Sequence, residues 1–153
     1  MWRLKLFSDR SPLTRLLFEI TESVYMDEGR DPGARLDKLR KEGIGIAIDD
    51  FGTGYSSLGY LKRFPVDKIK IDRSFIRDVT SDPEDASLCE AIIAMAHHLK
   101  LRVVAEGVET EQQLRFLQAR GCDFAQGYLF GKPMPVEEFT DYMKHNLEKS
   151  AFS

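Results

Sequence analysis

The sequence is poor in the features that would decide its class at once. It has two cysteines in 153 residues. Cys89 and Cys122 lack CxxC spacing, which excludes a disulfide-stapled mini-protein and a cysteine-rich zinc module, and their apolar helical surroundings predict free thiols in a reducing compartment. No apolar run approaches the roughly 18 to 20 residues that a bilayer span requires. The opening MWRLKLFSDRSP is too short in its apolar part for a signal peptide, so a cytoplasmic location without membrane contact is expected. Charge of one sign is also missing: 22 Lys and Arg face 25 Asp and Glu, for a formal net charge of −3. Without a basic stripe a nucleic-acid polymer is excluded as a partner, while a small phosphorylated ligand is not. Internal repeats and low-complexity linkers are absent. What remains, at 42% hydrophobic and 31% charged, suffices for one ordinary core.

From Leu16 onward, short β-like runs alternate with helical stretches: LLFEIT, DPGARLDKLRKEG, IGIAIDD, KIKID, PEDASLCEAIIAMAHHLK, RVVAEG, TEQQLRFLQARG and DFAQGYLF. Such alternation predicts parallel strands joined by crossover helices. Asp31 before Pro32 and Asp82 before Pro83 are N-cap signals followed by first-turn prolines, and Gly43 and Gly121 are left-handed stops. Thr110 is placed to cap the third helix, and Pro135 to open a last helix through Leu147. Residues 1–12 show no clear period and are read as an irregular segment; residues 148–153 are read as a loose tail.

The strands share an unusual property. A fully buried parallel strand is normally apolar throughout, yet these carry Glu19, Asp49, Asp50, Lys70, Asp72, Glu106 and Gln126. In Lys68 to Asp72 the isoleucines point one way and Lys70 and Asp72 the other, as the two-residue period requires. Parallel strands with acids and a lysine near their C-terminal ends predict a TIM-type barrel with its active site on that rim; five strands are readable, and closure needs about three more. Converging carboxylates repel one another unless cations are present. Glu19, Asp49, Asp50 and Glu106 are hard oxygen donors suited to Mg²⁺ or Mn²⁺, and nothing in the sequence chooses between these. Adjacent aspartates can serve two ions about 4 Å apart, a geometry suited to phosphodiester hydrolysis, with Lys70 adding positive charge. Taken singly, each acid is better explained as a helix cap or surface ion pair; the set repeated at strand ends is not. Gly52 and Gly54, in DDFGTGYSSLGYL, allow a loop to fold over the site; Glu22 either braces that loop or caps the segment after its own strand.

FEITES, IAIDDFGTGYSSL, KIKIDRSFI, VVAEGVET and QGYLFGKP, in that order and spacing, resemble the successive signatures of the EAL family of cyclic di-GMP phosphodiesterases. The resemblance runs from about Leu13 to about Phe139 and sets the expected domain at residues 13–147. It implies a TIM-barrel-like fold, here an incomplete barrel of about five parallel strands, and metal-dependent hydrolysis of cyclic di-GMP to the linear dinucleotide pGpG. By this resemblance Glu19 and Asp49 bind a first metal, and Asp49 and Asp50, with Glu106 nearby, hold a second. Lys70 positions the attacking water, Glu106 is a general base or a ligand, and Gln126 lies beside the water. Glu22 braces the Asp50 to Ser57 loop and Glu109 has a supporting role. The same resemblance implies a homodimer through Ser56 to Phe64 and an upstream sensor or GGDEF-type domain in a longer parent; an incomplete barrel adds exposed edges as a second route to a homodimer.

Two family features are missing. Members begin with a strand bearing the glutamate of a Glu-Ala-Leu motif and supply an asparagine from the next; here the near match Glu90-Ala91-Ile92 lies in a helical run, and the sole asparagine is Asn146. Two of the first metal's four expected ligands are therefore absent, which sets the alternative expectation: a non-catalytic fragment acting as a nucleotide-binding or protein-interaction module. His97 and His98, adjacent on a helix, predict one packed and one solvated ring, not a metal pair. Met95, Ile92, Ile93 and Leu99 read as a core stripe.

Overall fold

The structure is a computed structural model that describes residues 4–5, 16–21, 33–54, 61 and 65–150. Its strands are β1 (Leu4–Lys5), β2 (Leu17–Thr21), β3 (Gly45–Phe51), β4 (Lys68–Ile71), β5 (Arg102–Glu106) and β6 (Phe124–Gln126). Its helices are α1 (Gly33–Lys41), α2 (Arg73–Arg77), α3 (Pro83–His98), α4 (Glu111–Ala119) and α5 (Val136–Ser150). The strands form one sheet in chain order, with β2 to β6 parallel and β1 antiparallel to β2. The five parallel strands match the sequence expectation. The sheet is an open arc, with β1 and β6 as its edges among the described residues.

The two faces differ as the strand period dictates. Ile46, Ile48, Ile69, Ile71, Val103 and Ala105 are buried in one cluster with Leu36 of α1, Ile76 of α2, Ile92 of α3 and Leu117 of α4. This is the helix-covered outer face of a barrel-type sheet. Alternate residues, among them Glu19, Lys70 and Glu106, face the interior. In α3 the buried positions are Cys89, Ile92, Ile93 and Ala96, one helical stripe. Asp82 caps that helix by accepting the Glu84 N–H at 2.8 Å, and Pro83 occupies the first turn. Both cysteines are free; burial pushes the Cys89 thiol up to about 12, leaving it inert.

Two aspartates at the amino end fix the strand register. Asp67, just before β4, accepts the Ile46 N–H of β3 at 2.9 Å and meets Arg40 of α1 at 3.0 Å. Asp123, just before β6, accepts the Val103 N–H of β5 at 2.8 Å and lies 3.0 Å from His97 Nε2. Burial opposes the Asp123 charge, but the Val103 and His97 contacts outweigh it and hold its carboxyl below the usual range. On the same end the interior face is cationic: Lys68 and Arg102 stand 4.7 and 5.8 Å from the Phe124 ring centroid.

Several sequence expectations change. Asp72 does not continue β4; it is the N-cap of α2, a helix the sequence reading did not separate, and accepts the Ser74 N–H at 2.9 Å. The last helix runs to Ser150, beyond Leu147. Both His97 and His98 are exposed: the first bonds Asp123 and the second lies 2.7 Å from the Ala94 carbonyl, because the helix end leaves both rings outside the core. Within the segment read as irregular, Leu4 and Lys5 pair with Phe18 and Leu17. Glu22, the Asp31–Pro32 cap and most of the 56–64 segment lie outside the described residues.

Candidate active site

The C-terminal rim collects charge from four strands. Glu19 comes from β2, Asp49 from β3, Lys70 from β4 and Glu106 from the end of β5, and the parallel pairing of those strands carries them to one face. Lys70 Nζ lies 3.0 Å from Glu19 Oε1, 2.7 Å from Asp49 Oδ1 and 2.8 Å from Glu106 Oε1. Lys70 and Glu19 are each 4% exposed, whereas Asp49 and Glu106 are half-buried toward solvent. Burial works against the Lys70 charge, but its hydrogen bonds with Asp49, Glu106 and Glu19 together overcome it and raise its pKa above the usual lysine range.

Asp50 reaches this group by a local distortion. Neighbouring residues of a regular strand point to opposite faces, so Asp49 and Asp50 should diverge. The pairing of β3 with β4 is irregular between Ile48 and Phe51, and Asp50 has φ of 54°, left-handed backbone that a non-glycine residue adopts at a cost of about 1–3 kcal/mol. Gly52 follows at φ 99°, and a Cβ there would come within 2.9 Å of the Phe75 ring of α2. The kink turns the Asp50 carboxylate back, and one oxygen each from Asp49, Asp50 and Glu106 lie within 4.8 Å of one another.

Lys70 offsets one of the three carboxylates it touches, and Asp50 adds another negative charge. Burial and then repulsion from Asp49 push Asp50 above its ordinary pKa. Burial likewise raises Glu106; contact with Lys70 works in the opposite sense and does not cancel it. An excess of hard carboxylate oxygens at this spacing fits a divalent cation of the Mg²⁺ or Mn²⁺ type. The residues present therefore fit the expected metal.

Of the other expected site residues, Gln126 ends β6 in register with Glu106 and is exposed. Beside it opens a hollow of about 600 Å³ lined by Tyr128, Phe130, Met134 and Tyr142 among others. Glu109 is also exposed, and its backbone N–H donates to Gln113 Oε1 at 2.8 Å. Glu90-Ala91-Ile92 lies inside α3 and not on a strand. Sequence reasoning missed Gln113, a 5% exposed amide at the start of α4. The T-x-x-Q spacing from Thr110 was a signal for a capping box, though not for contacts with the distant end of α2.

Comparison with known proteins places this geometry in a family. The bifunctional diguanylate cyclase/cyclic di-GMP phosphodiesterase MucR of Pseudomonas aeruginosa is 50% identical over 125 residues, 82% of this chain and 18% of MucR. The solved structure of the PaMucR phosphodiesterase in complex with c-di-GMP superposes with a TM-score of 0.79 at 48% identity, over 84% of this chain and 52% of that one. A manganese/cyclic di-GMP complex of Klebsiella pneumoniae BlrP1 gives 0.74 at 36% identity, over 80% of this chain and 31% of that one. The chain thus spans under a fifth of its curated relative and about half or less of the solved ones. The open arc of five parallel strands is part of the TIM-barrel-like fold of these domains. The EAL domain model matches residues 2–133, and the chain belongs to the EAL domain family.

Proposed function

We propose that this rim hydrolyses cyclic di-GMP to pGpG with Mg²⁺ or Mn²⁺. The observation that carries the reading is the convergence of Glu19, Asp49 and Glu106 on Lys70, with Asp50 kinked back beside them. Phosphodiester cleavage needs positive charge on the phosphate and a positioned, deprotonated water. Bound divalent cations would polarise the phosphate and lower the pKa of water. Asp49, Asp50 and Glu106 offer the oxygens to hold them, with Glu19 on the buried side. Lys70, fixed by three carboxylates, orients the water oxygen toward phosphorus, and Glu106 at the open end of β5 takes its proton. The water oxygen forms the new bond to phosphorus, the bond from phosphorus to the 3′ oxygen breaks, that oxygen takes up a proton from solvent to leave as a hydroxyl, and the linear product carries the new 5′-phosphate. In this reading Gln126 holds the water, and Glu22 and Glu109 support the rim loops.

A dimer through residues 56–64 or the open sheet edges belongs to this reading, as does a longer parent with a sensor or GGDEF-type domain. The bifunctional name and the greater length of MucR support that parent. None of the described helices is long and apolar enough to cross a membrane, which accords with the proposed cytoplasmic location.

A second reading, nucleotide binding or protein interaction without turnover, is favoured by one observation: the 153 residues contain no Glu-Ala-Leu tripeptide and no asparagine except Asn146. Incubation of the purified chain with cyclic di-GMP and Mn²⁺ separates the two. Release of pGpG that disappears in EDTA supports hydrolysis. A folded chain that binds the nucleotide and releases no product supports the second reading.

A further inference from the structure

Gln113 links the connection after β5 to the helix after β4. Its Oε1 accepts the N–H groups of Glu109 at 2.8 Å and Thr110 at 2.9 Å, in the connection that follows Glu106. Its Nε2 donates to the carbonyls of Ile76 at 3.1 Å and Arg77 at 3.0 Å, the C-terminal end of α2. That helix is capped by Asp72, two residues after Lys70. All four hydrogen-bonding positions of one amide are filled across 36 and 37 residues of sequence. The two segments also touch without it: Gly107, at φ 72°, packs so closely against α2 that a Cβ there would lie 2.6 Å from the Arg73 Cβ. Val108, in the same loop, donates its N–H to the Gln126 carbonyl at 3.1 Å.

We infer that Gln113 is a positioning residue for the rim: its amide clamps the β5–α4 connection to the end of α2, so that Lys70 and Glu106 keep their 2.8 Å contact. A helix cap alone does not require this. A capping box is completed equally well by Gln or Glu, because only the acceptor oxygen serves the cap. The clamp requires the NH₂ group, and only Gln supplies donors to Ile76 and Arg77 while its oxygen serves the cap. The inference rests on the phosphodiesterase reading for its catalytic consequence and on hydrogen-bond geometry for the clamp itself.

The two roles separate in Gln113→Glu, which keeps the acceptors for Glu109 and Thr110 and sets a carboxylate against two carbonyls. Gln113→Met, of similar volume, removes both. Amide exchange, Mn²⁺ affinity and turnover are measured for the full chain and both variants. The Gln113→Glu variant is expected to keep the Leu114 amide of the first α4 turn protected. It should lose protection at Val79, whose N–H donates to Ile76, and at Val108. Weakening of Mn²⁺ binding and of kcat by about tenfold is expected, as for other residues that orient ligands, with KM for cyclic di-GMP within about twofold. Gln113→Met should lose protection at all three amides. Wild-type exchange at Val79 and Val108 in Gln113→Glu would overturn the clamp, as would unchanged Mn²⁺ affinity and kcat beside wild-type controls that bind and turn over. A parent chain that neither binds Mn²⁺ nor releases pGpG counts against the phosphodiesterase reading alone, and the exchange comparison still decides the clamp.

Discussion

The two ends of the parallel sheet both carry carboxylates, and they use them in opposite ways. At the amino end Asp67 and Asp123 stand apart; each accepts one N–H from the neighbouring strand and meets one nitrogen-bearing side chain from a helix, Arg40 or His97. Nothing there is overcharged, and the result is register. At the carboxyl end Glu19, Asp49 and Glu106 crowd onto one lysine and Asp50 is bent toward them. Burial with excess charge stabilises nothing by itself, since pairs removed from water at best break even. Acids that satisfy single donors hold a fold together, whereas acids that share a cation and retain surplus charge mark a place for a ligand. This division follows the general rule for barrels of parallel strands, with chemistry at the C-terminal face and stability at the other.

Breaking the carboxyl end should cost function first. Asp49→Ala removes an oxygen that faces both Lys70 and the Asp50–Glu106 group, and pGpG formation should fall by roughly 10²–10³-fold, the scale of losing one preorganised electrostatic contact. Chromatography of the product at saturating Mn²⁺ checks this, with the thermal transition expected to move little. Lys70→Met leaves the buried Glu19 beside other carboxylates with no ammonium between them. In EDTA, denaturant unfolding should show a loss of about 3–5 kcal/mol, the range for breaking a buried pair on one side, and added Mn²⁺ should recover part of it.

The amino end should behave differently. Asp123→Ala strands the buried Val103 N–H and should cost about 1–3 kcal/mol of stability while leaving Mn²⁺ binding unchanged. Because its folded pKa is depressed, the ionised Asp123 contributes in full above the unfolded aspartate value of about 3.9. That contribution is lost as pH falls through the folded value. The difference between parent and variant in urea should therefore be constant at neutral pH and shrink below about pH 4. Smallest of all, Arg40→Ala breaks a surface contact with Asp67 and should cost no more than about 1 kcal/mol, less at high salt. A large catalytic loss in either amino-end variant would erase the contrast between the two ends.

Much of this arrangement is legible in the amino acids. Alternating KIKI gives both faces of β4; Asp82 with Pro83, and Thr110, mark their helix starts; and the acids near strand ends identify the rim. What escapes depends on contacts distant in sequence or on backbone that departs from the regular period. Strand alternation sends Asp49 and Asp50 to opposite faces, and only the kink brings their oxygens together. Asp72 fits the alternation of β4 as well as it fits an N-cap, and Ser74 decides between them. Gln113 looks like one member of a local capping box until the end of α2 is seen beside it. His97 and His98 are side by side at a helix end, where composition cannot say that Asp123 lies across from one of them.

The most direct test of the central claim is pGpG release from cyclic di-GMP by the purified chain at increasing Mn²⁺, compared with Glu19→Ala. The account predicts turnover that requires the metal and vanishes in the variant. Turnover that persists in EDTA, or that survives Glu19→Ala, would contradict it, as would a folded parent chain that binds Mn²⁺ and the nucleotide and cleaves nothing.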